Sequence, residues 1–149
     1  MKSYSIIIQF ILVVLPAITF MDCSSSDDPA SEPTEEEKQI QRLAKTWVLG
    51  SVEYGGDNIS DRFDDFALTF TASKTYTATG SLGDFDYEPF KTSGTWVFKD
   101  GNLNLLARND GVDMTAQVTD NTLTLTFNFT EANGRVAGLG EYKFDLIAD

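Results

Sequence analysis

Two hydrophobic periods divide the chain. Ile40, Leu43, Ala44 and Trp47 recur at i, i+3, i+4 and i+7, the apolar stripe of a short helix. Thr34 with Glu37 three residues on has the spacing of a capping box, and Glu35 and Glu36 favour the positive end of a helix dipole. This spacing predicts a helix of about eleven residues, too short to stand alone, so it must lie on something. From residue 46 the period becomes two and predicts eight strands, at 46–54, 66–70, 74–79, 92–98, 103–108, 113–119, 122–129 and 142–146. The clearest is Thr122-Leu123-Thr124-Leu125-Thr126-Phe127-Asn128-Phe129, with threonine on the wet face.

The connections indicate how the strands are joined. Tight links at 71–73, 99–102 and 120–121 alternate with long ones at 55–65, 80–91 and 130–141. Such a chain is an up-and-down meander with its tight turns at one end and its long loops at the other. The expected fold is therefore all-β, an eight-stranded up-and-down antiparallel barrel behind a short N-terminal helix. If Trp47 faces inward, it joins Phe70, Tyr76, Phe98, Leu103, Val118, Leu123 and Leu146 in a plugged floor at the tight-turn end. The long-loop half then receives small residues, Ser51, Ala78, Gly94, Ala107 and Ala116, among larger ones. The candidate ligand-binding residues in and beside that half are Ser51, Phe66, Gly94, Trp96, Met114, Phe127, Phe129 and Tyr142. Aromatics leaning across would instead give a solid core. Strand 46–54 is apolar on both faces, through Val48, Val52 and Tyr54, so a slip of one residue would exchange its faces.

Composition removes several classes of function. The 11 Lys+Arg and 23 Asp+Glu leave a net charge of −12, without the basic footprint of a nucleic-acid binder. Histidine is absent, which excludes His-based acid–base catalysis and His-ligated metals. A carboxylate pair such as Glu53 with Asp64 has no defined spacing, and no other nucleophile system is visible, so no enzyme is expected. The loop carboxylates Asp57, Asp61, Asp64 and Asp65, and Asp84, Asp86 and Glu88, do not follow EF-hand spacing and read as a solvated acidic surface. Neither metal nor cofactor is expected.

The N-terminus carries an address. Lys2 precedes an apolar run from Ile6 to Leu15, too short and interrupted for a comfortable membrane span, and the single cysteine, Cys23, follows it. The arrangement resembles a bacterial lipoprotein signal over residues 1–22, in which Cys23 is lipidated and becomes the mature N-terminus; an uncleaved apolar anchor over 4–21 is the alternative. Residues 23–33 read as an acidic, Ser/Pro-rich disordered tether. Ser24-Ser25-Ser26-Asp27-Asp28 resembles the export signal of Bacteroidota lipoproteins, which implies an outer-membrane, lipid-anchored protein at the cell surface, with a periplasm-facing position as the alternative.

Lys45-Thr46-Trp47-Val48-Leu49, Leu68-Thr69-Phe70, Tyr76 and Ser93-Gly94-Thr95-Trp96-Val97-Phe98 before Asp100-Gly101-Asn102 resemble the lipocalin-like domain of Bacteroidota lipoproteins, over about residues 40–149. Lys45 stands where the usual Gly-x-Trp opening has glycine. The resemblance implies a tethered barrel that binds a small, largely apolar ligand. The alternative is a protein-interaction module, an inhibitor or accessory subunit, working through its long loops. The mouth is expected to point away from the membrane, because helix and tether join the barrel at the tight-turn end.

Overall fold

Thr34 caps the helix as its spacing predicts. In the computed structural model, which describes residues 32–82, 89–128 and 141–149, helix α1 spans Glu35–Leu43. The Thr34 hydroxyl accepts from the Glu37 backbone N–H, and the Glu37 carboxylate accepts from the Thr34 N–H at 2.7 Å. The Thr34 N–H and the Thr34 hydroxyl, which both donate to the Glu37 carboxylate, hold that carboxyl below its ordinary pKa. The proposed signal, Cys23, Phe129 and the carboxylates Asp84, Asp86 and Glu88 lie outside the described residues, as does the proposed tether except for Glu32 and Pro33.

The strands are β1 (Thr46–Tyr54), β2 (Asp57–Asn58), β3 (Ala67–Phe70), β4 (Thr75–Thr79), β5 (Ser93–Lys99), β6 (Asn102–Arg108), β7 (Asp113–Val118), β8 (Thr122–Phe127) and β9 (Tyr142–Ala148). Every pair is antiparallel, and β9 returns to β1. Eight strands in sequence order thus close a barrel. The two-residue β2, which periodicity does not show, only extends the sheet beside the upper half of β1. A short 3₁₀ turn, Ser60–Arg62, follows it.

Helix α1, together with Lys45 just after it, closes the tight-turn end by touching all three of its hairpins. Glu36 meets Lys74 at 2.7 Å, Gln39 donates to the Leu103 carbonyl and to Asn104 Oδ1 at 3.2 Å each, and Lys45 donates to the Asp120 carbonyl at 2.8 Å. Gln39 is buried on the helix together with Leu43, although the apolar stripe alone gave no sign of it. The hairpin of β5 and β6 turns through Asp100 and Gly101, both with positive φ, the backbone that a two-residue turn between twisted strands demands. The described residues of the long loops gather at the opposite end. There Ser81 donates to the Asp64 and Arg62 carbonyls at 2.8 Å each, and the Gly55 N–H donates to the Glu141 carbonyl at 3.0 Å.

Two strands depart from the expected facing. In β1 the register against β9 shifts between Leu49 and Ser51, a bulge at Gly50. Trp47 faces the core before it and Val52 after it, both fully buried. Ser51 is therefore displaced from the interior. It pairs with Asp145, on the outer wall between the buried Phe144 and Leu146, and its hydroxyl bonds the Asp145 carboxylate. Burial pushes that carboxyl up, but hydrogen bonds from Lys143, Thr124 and Ser51 outweigh it and hold Asp145 below its ordinary pKa. Glu53 also faces outward past the bulge and approaches Lys143 at 3.9 Å. In β6 the interior positions are Leu106 and Arg108, opposite Phe98 and Trp96, so Ala107 faces away from the core.

Candidate functional site

The long-loop half of the barrel is not the roomy space that its small strand residues suggest. Two phenylalanines from the loops, Phe63 and Phe90, fold back into it and are buried. Phe90 lies 5.7 Å from Phe66, 5.4 Å from Phe127, 5.3 Å from Phe144 and 6.2 Å from Tyr76 between ring centroids. Three of those contacts are edge-on, the arrangement that brings the positive rim of one ring to the negative face of the next. Phe63 meets Phe66 and Phe144 in the same edge-on manner.

Inside this aromatic shell stands Arg108. Its side chain is wholly removed from solvent. Nε donates to Asp110 Oδ1 at 3.1 Å, Nη2 donates to Asp110 Oδ2, and Nη1 donates to the Pro89 carbonyl at 2.7 Å. Nη1 also approaches the Met114 sulfur at 3.9 Å. The guanidinium carbon lies 4.8 Å from the centre of the Phe90 ring, 5.5 Å from Tyr76 and 5.9 Å from Phe127. A buried guanidinium is costly unless its charge is matched and its donors are used. Here Asp110, two residues along the chain, supplies the charge, and the rings supply cation–π attraction.

Two buried donors remain unmatched among the described residues, the Tyr76 hydroxyl and the Trp96 indole N–H. Arg108 pulls on the Tyr76 oxygen through its charge and a poorly aligned N–H contact, and since a guanidinium only donates, the hydroxyl's own proton is left without an acceptor. Burial, reinforced by the Asp110 carboxylate, pushes the Tyr76 hydroxyl above its ordinary pKa against the pull of Arg108, so it stays protonated and able to donate. Gly94 makes room for that ring. A Cβ there would stand 2.6 Å from Tyr76 Cε1, 2.7 Å from its hydroxyl oxygen and 2.6 Å from Asn109 Oδ1. Asn109 is held by the Thr95 N–H at 3.1 Å and cannot easily yield. Gly94→Ala is accordingly expected to cost about 1–3 kcal/mol through overpacking, read as a fall in the urea midpoint at unchanged slope.

Phe66, Gly94, Trp96, Met114, Phe127 and Tyr142 all belong to the barrel, but at different depths. Met114 and Phe127 stand against Arg108. Phe66 reaches the same cluster through Phe90, and Tyr142 stacks on Phe127 at 5.7 Å. Trp96, opposite Arg108 across β5 and β6, turns its ring toward the floor, with Phe70 at 5.9 Å and Phe98 at 5.2 Å. Ser51 is outside, by the bulge described above. No protein-family model, curated protein or solved structure matches the chain. The barrel itself is therefore the basis for any reading of function.

Sequence reasoning missed Arg108, Phe90 and Phe63. Arg108 ends a strand whose Leu105-Leu106-Ala107 run is apolar on both faces, so period two does not distinguish the inner set. Phe63 and Phe90 sit among acidic and turn residues, where no periodicity exists. The one signal available was an aromatic residue in an acidic loop, and for Phe90 it was diluted by Phe85 and Tyr87 in the same stretch.

Outside the barrel, a cleft of about 460 Å³ lies beside β1 and β3, lined by Val48, Leu49, Ser60, Phe63, Asp64, Asp65, Phe66 and Ala67. It marks where β1 leaves β3 and the first long loop leans in. Among the described residues, no three carboxylates come together as metal ligands.

Proposed function

We propose that this protein is a lipoprotein of the lipocalin-like kind, lipidated at Cys23 and tethered at the outer membrane, whose barrel binds a small, largely apolar ligand from the long-loop end. The observation that carries the reading is Arg108. A barrel serving only as a scaffold gains nothing from a guanidinium in its core, because an apolar residue of similar volume would be as stable or more so. Ligand sites, in contrast, are mostly aromatic and apolar walls with a few convergent polar groups. The volume that a ligand would take is the one that Phe90 fills. Phe90 comes from a loop and not from a strand, so it can be exchanged without breaking the barrel's ladder.

The test is thermal unfolding of the full chain in lipid nanodiscs, with empty nanodiscs as the partition control. A binder at a hundred times its Kd is expected to raise stability by about 2.7 kcal/mol. A panel of long-chain alcohols, esters and acids that leaves the transition unmoved would refute the reading.

A second reading has its own observation. Phe63 and Phe90 pack the long-loop half, and a filled barrel with a cleft beside its first long loop suits a module that engages a protein partner through its loops. Under this reading, substitutions at the cleft rim, such as Asp64→Lys with Asp65→Lys, would abolish partner binding, and no small apolar molecule would shift the melting transition.

A further inference from the structure

We infer that the polar end of the barrel's ligand is a neutral oxygen acceptor, such as an ester or ketone carbonyl, received by the Tyr76 hydroxyl beside the Arg108–Asp110 pair, and that this pair turns carboxylates away. The inference rests on the ligand-binding reading and adds the class of head group. Three observations lead to it.

First, the unmatched buried groups are donors. An indole N–H can only donate, and a protonated phenol in a site already holding its acceptors is most useful as a donor. Tyr76 and Trp96, at 1% exposure each, both lack a partner among the described residues. A ligand that satisfies either one must bring an acceptor. Second, the guanidinium is already neutralised. Two of its nitrogens are committed to Asp110 and the third to the Pro89 carbonyl and the Met114 sulfur. A carboxylate arriving here would place a second anion around one cation, inside a shell of rings where water does not screen the repulsion. A neutral carbonyl meets no such penalty. Third, the unmatched hydroxyl brings no stability of its own. A buried polar group without a partner costs free energy, and a group kept at a cost to stability is what a binding role retains.

The experiment compares methyl laurate with laurate at neutral pH, two probes with the same apolar chain and different heads, binding to the full chain in nanodiscs and followed by tryptophan fluorescence. Methyl laurate is expected to bind at least tenfold more tightly. Tyr76→Phe is expected to keep or raise the melting temperature, since it deletes an unmatched hydroxyl, while weakening methyl laurate about tenfold. Asp110→Asn frees the charge of Arg108 and is expected to bring laurate to at least the affinity of the ester. Equal or preferential binding of laurate to the unaltered protein overturns this inference alone. So does an ester affinity that Tyr76→Phe leaves unchanged. If neither probe binds, the ligand-binding reading falls, and this inference falls with it.

Discussion

Arg108→Ala is expected to lower stability by about 3 kcal/mol and the melting temperature by roughly 10 °C. The substitution removes one partner of a buried ion pair and strands the other. Asp110 keeps about a fifth of its side-chain surface in solvent. Its uncompensated charge is thus partly hydrated, which places the cost at the low end of the 3–5 kcal/mol typical of such breaks. The Pro89 carbonyl loses its donor, and Phe90, Tyr76 and Phe127 lose the cation they surround. The double substitution Arg108→Met with Asp110→Asn is expected to recover most of the loss, since it replaces a charge pair by neutral groups of similar volume. A double-mutant cycle measured by urea unfolding reads the coupling directly. If Arg108→Ala and the double variant were equally destabilised, Asp110 would not be the group that matches Arg108. The case for a charge-neutral site would then be lost.

How much of this was legible in the sequence depends on whether a strand has one wet face. β8 is legible because Thr122, Thr124 and Thr126 mark the outside and Leu123, Leu125 and Phe127 the inside without interruption. The capping box is legible because its two hydrogen bonds depend only on residues three apart in sequence. β1 is legible as a strand with the bounds 46–54, but its facing is not. Val48 and Val52 are both apolar, and the bulge at Gly50 places them on opposite faces although they are four apart. A Cβ at Gly50 would stand 2.8 Å from the Asp145 carbonyl, so the close approach of β9 explains the glycine, but only once β9 is seen beside it. The same limit applies to the site. Phe90 enters the barrel by a tertiary contact that no local period encodes. Arg108 reads as the polar end of a strand until its partners on β4, β7, β8 and the loop before β5 are in place.

Trp47→Ala is expected to be the most destabilising single change in the floor, at about 3–5 kcal/mol, without altering head-group preference. Trp47 is fully buried and binds three elements at once. Its Nε1 donates to the Leu43 carbonyl at 3.0 Å, which fastens the end of α1, and its backbone pairs with Leu68 on β3 and Ala148 on β9. Lys45 covers the ring at 5.2 Å from its centre. Truncation opens a cavity beneath a barrel whose walls are hydrogen-bonded on both sides and cannot collapse to fill it, which is the condition that makes large-to-small changes most costly. Trp47→Phe restores most of the volume but not the indole N–H, leaving the Leu43 carbonyl unmatched, and is expected to recover only part of the loss. The contrast with Tyr76→Phe separates the two ends of the barrel. The floor substitution lowers the melting temperature steeply while the ratio of ester to acid affinity, measured below the transition, stays as it was. The Tyr76 substitution moves the ratio and spares the melting temperature. Should Trp47→Ala shift that ratio as well, the floor and the site would be one packed unit, and the polar end of the ligand would have to be sought deeper in the barrel, near the Trp96 indole N–H.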